Sequence, residues 1–367
     1  MSEVREAMIV AGGAGTRLRP LTDHTPKPLL PFCAEPFLAG VLHRLADARV
    51  RRVWLVVGAD PSPFEVLRPL ADSLGLELAS VPEPEPLDTA GGVRSVIERC
   101  HGSVFVLNGD VLTDVDLLAV GRDHLAAGAA ATLVLTRVED TSSFGVCVLD
   151  GERVTGFVEK PAPGTLPGQD AVNAGTYVLE PDALTRFPVG RLSFEREVFP
   201  TLVAEGALVR GLVRDAVWAD LGTPERYLAG HRLALAGRLR WPSLAAVPLQ
   251  APGRWQAEDV HVDANAEVVP PVLLSSGTRI GPGARVGPDV VAAAGVTIGA
   301  GAQLRDTVLD RGTEVGEGAR LEAVITGPAA VIGHGAQLRG PVALGQDAVV
   351  PADARAVDES PSGGGSP

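Results

Sequence analysis

Cysteine is scarce in this 367-residue chain, which holds only Cys33, Cys100 and Cys147. They are odd in number, scattered and without C-x-x-C spacing. That excludes a disulfide framework and a cysteine-rich zinc site, and fits a reducing, cytoplasmic setting. Long apolar runs are missing too. Before the first glycines the N-terminus offers charged Glu3, Arg5 and Glu6 and the short run Ala7–Ala11, so neither a signal peptide nor a membrane span is expected. Positive charge is in deficit, with 32 Lys and Arg against 45 Asp and Glu and a net charge of −13. Such a balance argues against a nucleic-acid or anionic-membrane surface. Two familiar phosphate motifs are absent as well. No Lys-Ser or Lys-Thr follows the early glycines as in a Walker loop, and Gly13-Ala14-Gly15 runs into Thr16, Arg17 and Leu18 rather than completing G-x-G-x-x-G.

What is present is enough for a packed core, since 46% of residues are hydrophobic. The length fits two or three domains. From Met8 to about residue 235 strand-like runs alternate with helix-like stretches. Val53–Val57 follows the amphipathic segment Leu38–Val50, Val104–Leu107 follows Gly92–Cys100, and Ala131–Leu135 follows Leu117–Ala127. That alternation predicts an α/β domain with a mainly parallel sheet over residues 1–240, whose ligands bind outside the carboxyl ends of the strands. Residues 241–258 are proline-rich and read as a linker. Over 259–357 an aliphatic-Gly pair recurs at Ile280-Gly281, Ile298-Gly299, Val315-Gly316 and Ile332-Gly333, at intervals of 17 to 18 residues. Six-residue echoes lie between, and three hexapeptides make one triangular coil of a parallel β-helix. Residues 358–367 read as a flexible tail.

The segment with the most chemistry begins where Ala7–Ala11, a buried strand, runs into Gly12, Gly13 and Gly15, followed by Thr16 and Arg17 and then Lys27 between two prolines. Glycines let backbone N–H groups approach an anion closely, and a helix start beyond them would add its positive end. The arginine and lysine point to a polyphosphate. Asn108-Gly109-Asp110 closes an apolar run, which places a carboxylate at a strand's C-terminal end. Trp218-Ala219-Asp220-Leu221-Gly222-Thr223-Pro224 sets a second aspartate between a strand and a helix, where on its own it could serve as an N-cap.

The motif G-G-x-G-T-R-L-x-P-L-T…P-K-P resembles the signature of sugar-nucleotide pyrophosphorylases, which join a nucleoside triphosphate to a sugar 1-phosphate. The resemblance covers nearly the whole chain. It implies a Rossmann-like nucleotidyltransferase domain followed by a left-handed hexapeptide β-helix, with a nucleoside triphosphate, a sugar 1-phosphate and Mg²⁺ as partners. By resemblance Ala11, Gly12, Gly13, Gly15, Thr16, Arg17, Thr89 and Gly91 hold the nucleotide, and Asp110 and Asp220 hold the metal. Glu159-Lys160-Pro161 looks like the family's E-K-P element, with Lys160 on the sugar phosphate and Glu159 on sugar hydroxyls. Gly145 and Asn173, in Asn173-Ala174-Gly175-Thr176-Tyr177, contact the sugar. Arg17, Lys27 and Lys160 then neutralise charge during a direct, metal-assisted displacement at the α-phosphorus.

Glu83-Pro84-Glu85-Pro86-Leu87-Asp88-Thr89-Ala90-Gly91 is similar to the base-reading loop of guanylyltransferases acting on mannose 1-phosphate, and Ser193–Pro200 (SFEREVFP) looks like the same group. One glutamate can accept both guanine N1–H and N2–H₂. Glu85 is our choice for it, with Glu83 as the alternative. Asp88 departs from the pattern, which has glycine there, so glucose 1-phosphate or a cyclitol phosphate, and UTP, dTTP or ATP, stay open. A non-catalytic sugar-nucleotide-binding paralogue would not need both aspartates. An acyltransferase in the coils would have to rely on His334 or His261. The β-helix makes a homo-oligomer plausible.

Overall fold

The computed structural model describes residues 3–162, 164–166 and 168–357; the tail read as flexible, 358–367, lies outside them. The chain packs as two compact units. One joins the residues up to Gly13 with Leu38–Ala219, and the other joins Ala14–Phe37 with the chain from Asp220 onward.

In the first unit the described residues form a nine-stranded sheet. From edge to edge it runs Glu77–Pro82, Arg52–Val57, Glu6–Val10, Val104–Asn108, Ala171–Leu179, Ala131–Arg137, Val209–Val213, Arg153–Glu159 and Gly145–Asp150. Its inner strands are runs of Val, Ile and Leu because both faces are covered, and Ile9, Val53, Leu55, Val104 and Val106 are fully buried. Helix Leu117–Ala127 has the bounds its sequence predicts: Asp116 Oδ1 accepts from Ala119 N at 2.9 Å, and Gly128 ends it at φ 60°.

The sheet is mixed rather than mainly parallel. Glu6–Val10 lies parallel to both neighbours, and Ala131–Arg137 is parallel to Val209–Val213. Ala171–Leu179 runs antiparallel to the strands beside it, as does Arg153–Glu159. The reason is local. Among the described residues between 145 and 179 strands follow one another with no helix between them, and a parallel return needs a long crossover, usually a helix.

In the second unit the proline-rich segment 241–258 is built in rather than loose. It carries the helical turn Pro242–Ala245 and the antiparallel pair Leu249–Ala251 and Arg254–Gln256, the latter continuing into a ladder with Val272–Leu274. Trp241 is buried at 2% exposure, stacked on Phe37 at 5.3 Å and edge-on to Phe32 at 5.0 Å. Prolines signalled a break in secondary structure, but the aromatic cluster anchors the segment.

Beyond it the coils stack as a parallel β-helix. The aliphatic-Gly repeats fall on adjacent rungs, with Arg279↔Thr297, Thr297↔Glu314 and Glu314↔Val331 in register. Geometry explains the glycines. A Cβ on Gly281, Gly299, Gly316 or Gly333 would lie 2.9, 2.7, 2.5 or 2.4 Å from backbone of the next coil. Gly316→Ala, which collides with His334 N, is therefore expected to cost about 1–3 kcal/mol through overpacking; an unchanged melting temperature would refute that account of the repeat.

All three cysteines are buried and free. Burial pushes the Cys100 and Cys147 thiols up to about 12, and Cys33 higher still, so none is poised as a nucleophile. Among the described residues no helix is long and apolar enough to cross a membrane.

Candidate active site

The glycine loop leaves the strand Glu6–Val10 at the carboxyl end of the sheet, where Ala11 N donates to Val56 O at 2.7 Å. No helix begins there. Thr16–Leu18 is a three-residue turn, and the extended Arg19 before Pro20 stops it. So the expected helix-end contribution is absent, and any anion attraction must come from the loop amides and nearby cations. Gly15 takes φ 60°, and a Cβ on it would lie 3.0 Å from Lys27 Cβ; Thr22 Oγ1 donates to Gly15 O at 2.9 Å.

Three cations gather with one carboxylate beside that turn. Lys27 Nζ stands 3.6 Å from Asp220 Oδ1, and Arg226 Nη1 donates to Asp220 Oδ2 at 2.8 Å. A Cβ on Gly222 would lie 2.7 Å from Arg17 Nη2 and 2.9 Å from Asp220 Oδ1, so the Arg17 guanidinium and the Asp220 carboxylate both lie against this glycine. Asp220 is not the N-cap of helix Pro224–Leu235; Thr223 is, accepting from Arg226 N at 3.4 Å. The aspartate's side chain is left for its ionic partners. Arg226 escaped the sequence reading, for no motif rule connects an aspartate with the residue six further on.

In the first unit Asp110 follows the strand Val104–Asn108. Gly109 N donates to Val10 O at 2.8 Å, and a Cβ on Gly109 would lie 2.9 Å from that same oxygen. This glycine fastens the aspartate's turn to the start of the loop at Ala11. Asp114 Oδ1 accepts from Val217 N at 2.8 Å, tying down the segment that leads to Asp220.

The two candidate base readers differ sharply. Glu85 is exposed. Glu83 is only 8% exposed, and its Oε1 is buried with no hydrogen-bond partner among the described residues. Burial lifts its carboxyl to about 6. Cβ atoms on Gly12 and Gly92 would sit 2.8 Å and 2.2 Å from its carboxylate oxygens, so glycines on two segments make room for this one side chain.

Asp88 occupies the place where the related loop has glycine, and it adopts a glycine-like φ of 66°, which aspartate tolerates better than most residues. Its carboxylate bonds Arg196, with Arg191 Nε at 3.7 Å, so its charge is matched locally. Thr89 Oγ1 donates to Glu195 Oε2 at 2.7 Å and accepts from Phe194 N. Gly91 is a packing glycine, since a Cβ there would meet Gly190 O at 2.4 Å.

Glu159, Lys160, Gly145 and Asn173 lie along neighbouring strands. A Cβ on Gly145 would come within 2.8 Å of Glu159 Oε2. Lys160 Nζ is 3.6 Å from Glu159 Oε1 and mostly exposed. Burial and the nearby Glu195 raise the Glu159 carboxyl, and Lys160 opposes them. Asn173 Nδ2 donates to Tyr177 OH at 2.7 Å, its Oδ1 accepts from Gly175 N at 2.9 Å, and Tyr177 OH reaches Glu195 Oε1 at 3.4 Å. Glu195 thus links Thr89 to Asn173 through Tyr177. Its only sequence signal was the SFEREVFP run. Among the described residues no three His, Cys, Asp or Glu side chains form a metal-binding cluster.

Residues 6–236 match the Nucleotidyl transferase family, and residues 268–359 match the GMPPB C-terminal domain. A protein named mannose-1-phosphate guanylyltransferase from Mycobacterium tuberculosis is 39% identical over 282 residues, which is 76% of this chain and 75% of that one. A probable mannose-1-phosphate guanylyltransferase 1 from Oryza sativa is 34% identical over 76% of this chain and 75% of its own. Among solved structures, HddC from Yersinia pseudotuberculosis superposes with a TM-score of 0.53 at 26% identity, covering 62% of this chain and 98% of that one. HddC complexed with GMP-PN gives 0.52 at 25%, with the same coverage. With the glycine loop, the two aspartate motifs and matches of this extent in hand, the chain belongs to the nucleotidyl transferase family.

Proposed function

We propose that this chain transfers GMP from GTP to mannose 1-phosphate and releases pyrophosphate. The names of its relatives support the reaction. The observation that carries the choice of base is Glu83. An ionised carboxylate buried without a partner is costly, and guanine's adjacent N1–H and N2–H₂ are the donors that satisfy it. On this reading Glu83, rather than Glu85, reads the base.

The amides of Gly12, Gly13 and Gly15, flanked by Ala11 and Thr16, hold the triphosphate, and Arg17 and Lys27 take the charge that builds on the departing pyrophosphate. Lys160 holds the sugar phosphate, while Glu159, Asn173 and the backbone at Gly145 receive the sugar. An oxygen of the sugar phosphate forms the new bond to the α-phosphorus as the bond to the pyrophosphate oxygen breaks, so no covalent nucleotidyl-enzyme is needed. Asp110 and Asp220 would hold Mg²⁺. The donor set fits an ion that takes one or two carboxylates and fills its remaining sites with phosphate oxygens and water. When bound, Mg²⁺ neutralises phosphate charge and polarises the α-phosphoryl group. Asp88 does not oppose the nucleotide, because Arg191 and Arg196 balance its charge. Self-association through the coils and a cytoplasmic setting belong to the same proposal.

Pyrophosphate release with Mg²⁺, each of the five common nucleoside triphosphates and either mannose or glucose 1-phosphate tests it. GTP with mannose 1-phosphate should exceed every other pair by about tenfold or more. Faster release with another base, or none with any pair, would overturn the assignment.

A further inference from the structure

One face of the β-helix carries a concentration of arginine that the reaction does not use. Along its strands Val286, Leu304, Leu321 and Leu338 point into the core at 0–4% exposure. Side chains alternate along a strand, so their neighbours on either side face outward. In register, Arg285↔Gln303, Gln303↔Arg320 and Arg320↔Gln337 form one outward column, and Arg305↔Glu322 with Glu322↔Arg339 form the next. Successive rungs lie about 4.8 Å apart.

These two columns line a groove of about 420 Å³. Glu322 is shared, with Arg305 Nη2 at 3.0 Å and Arg339 Nε at 3.2 Å. Arg285 pairs with Glu267, and Arg320 makes no ion pair among the described residues. Four arginines against one glutamate give the groove lining a net charge of three positives, in a chain whose net charge is −13. Within each column a Gln or Glu separates one arginine from the next, so the guanidinium groups stand two rungs apart rather than directly opposite one another.

We infer that this groove binds a small phosphorylated anion carrying at least two phosphate charges, such as a pyrophosphate-bearing metabolite. Guanidinium forks match phosphate oxygens in pairs, and Arg305 and Arg339 are already oriented by Glu322. Gln303 and Gln337 add amide donors. The volume falls in the range of small-molecule sites, and the chain's negative charge disfavours a nucleic acid or an anionic membrane as the occupant. The groove shares no residue with the cluster of Arg17, Lys27, Asp220 and Arg226, so the inference stands apart from the proposed reaction.

Calorimetric titration of the full chain with inorganic pyrophosphate in EDTA tests this. The double variant Arg320→Gln/Arg339→Gln should weaken one binding site by about tenfold or more, because two charge-assisted phosphate contacts are removed. Arg320→Gln alone, which breaks no ion pair, should weaken the same site with an unchanged melting curve. Lys27→Ala should retain it. An unchanged isotherm in the double variant overturns the inference, as does loss of the only pyrophosphate site in Lys27→Ala. A change in the mass of the assembly with pyrophosphate binding intact would also overturn it, by making this face a contact between copies.

Discussion

Asp220→Asn should lower kcat by about 10²–10³-fold or more while leaving KM for GTP unchanged or reduced. Asparagine keeps the side chain's shape but not its charge. Lys27, Arg17 and Arg226 then stand around a neutral group, and all three become available to the triphosphate. Binding of the nucleotide is maintained by those cations; what is lost is one carboxylate for Mg²⁺. The melting temperature should fall as well, because Lys27 and Asp220 are only 9% and 19% exposed and the substitution removes a negative charge from beside a buried ammonium. Steady-state kinetics across a magnesium titration separates the effects: half-saturation by Mg²⁺ should rise, whereas Lys27→Ala, which removes positive charge from the departing pyrophosphate, should lower kcat with that half-saturation unchanged. Turnover by Asp220→Asn equal to that of the unmodified chain would remove this aspartate from the metal site.

Glu83→Gln should do two things that pull in opposite directions. Its carboxyl sits at about 6 in the folded chain against the usual 4.5. The fold therefore prefers the protonated form. Glu83's contribution to stability is fully present below pH 4.5 and is lost as pH rises through 6, so at pH 7 the ionised group destabilises the unliganded protein by about 2 kcal/mol. Glutamine should recover much of that, and the variant should melt higher at pH 7 but not at pH 4. Selectivity for GTP over the other triphosphates should fall by about tenfold or more, because one of the two acceptors has become a donor. A carboxylate kept at a cost to folding is most simply explained by what it binds. If thermal melts and selectivity both match the parent chain, Glu83 is not the base reader.

The sequence made the β-helix legible because its glycines are dictated by backbone clearance from one coil to the next, a constraint that repeats at a fixed interval. Gly281, Gly299, Gly316 and Gly333 record it directly. The strand exits bearing Gly12 and Asp110 were legible for a similar reason, since a short apolar run ending in glycine and a polar residue has few readings. What was hidden depends on contacts between distant segments. Nothing in E-P-E-P says which glutamate turns inward; that is set by Gly12 and Gly92, one on either side in sequence. Arg226 and Glu195 gain their partners only when separate elements pack. The mixed sheet was missed because strand-like runs do not carry their direction, and the linker because proline content outweighed a single buried tryptophan.

The stacked glycine corners have a consequence for the length of the C-terminal unit. Each coil bonds to the coil before it and the coil after it, so its internal contacts are the same wherever it sits in the stack. A coil of 17 to 18 residues can then be gained or lost as a whole, and each one lengthens the stack by about 4.8 Å. The domain is in this sense a ruler graduated in single turns, whose reach can be reset without redesigning any of its parts.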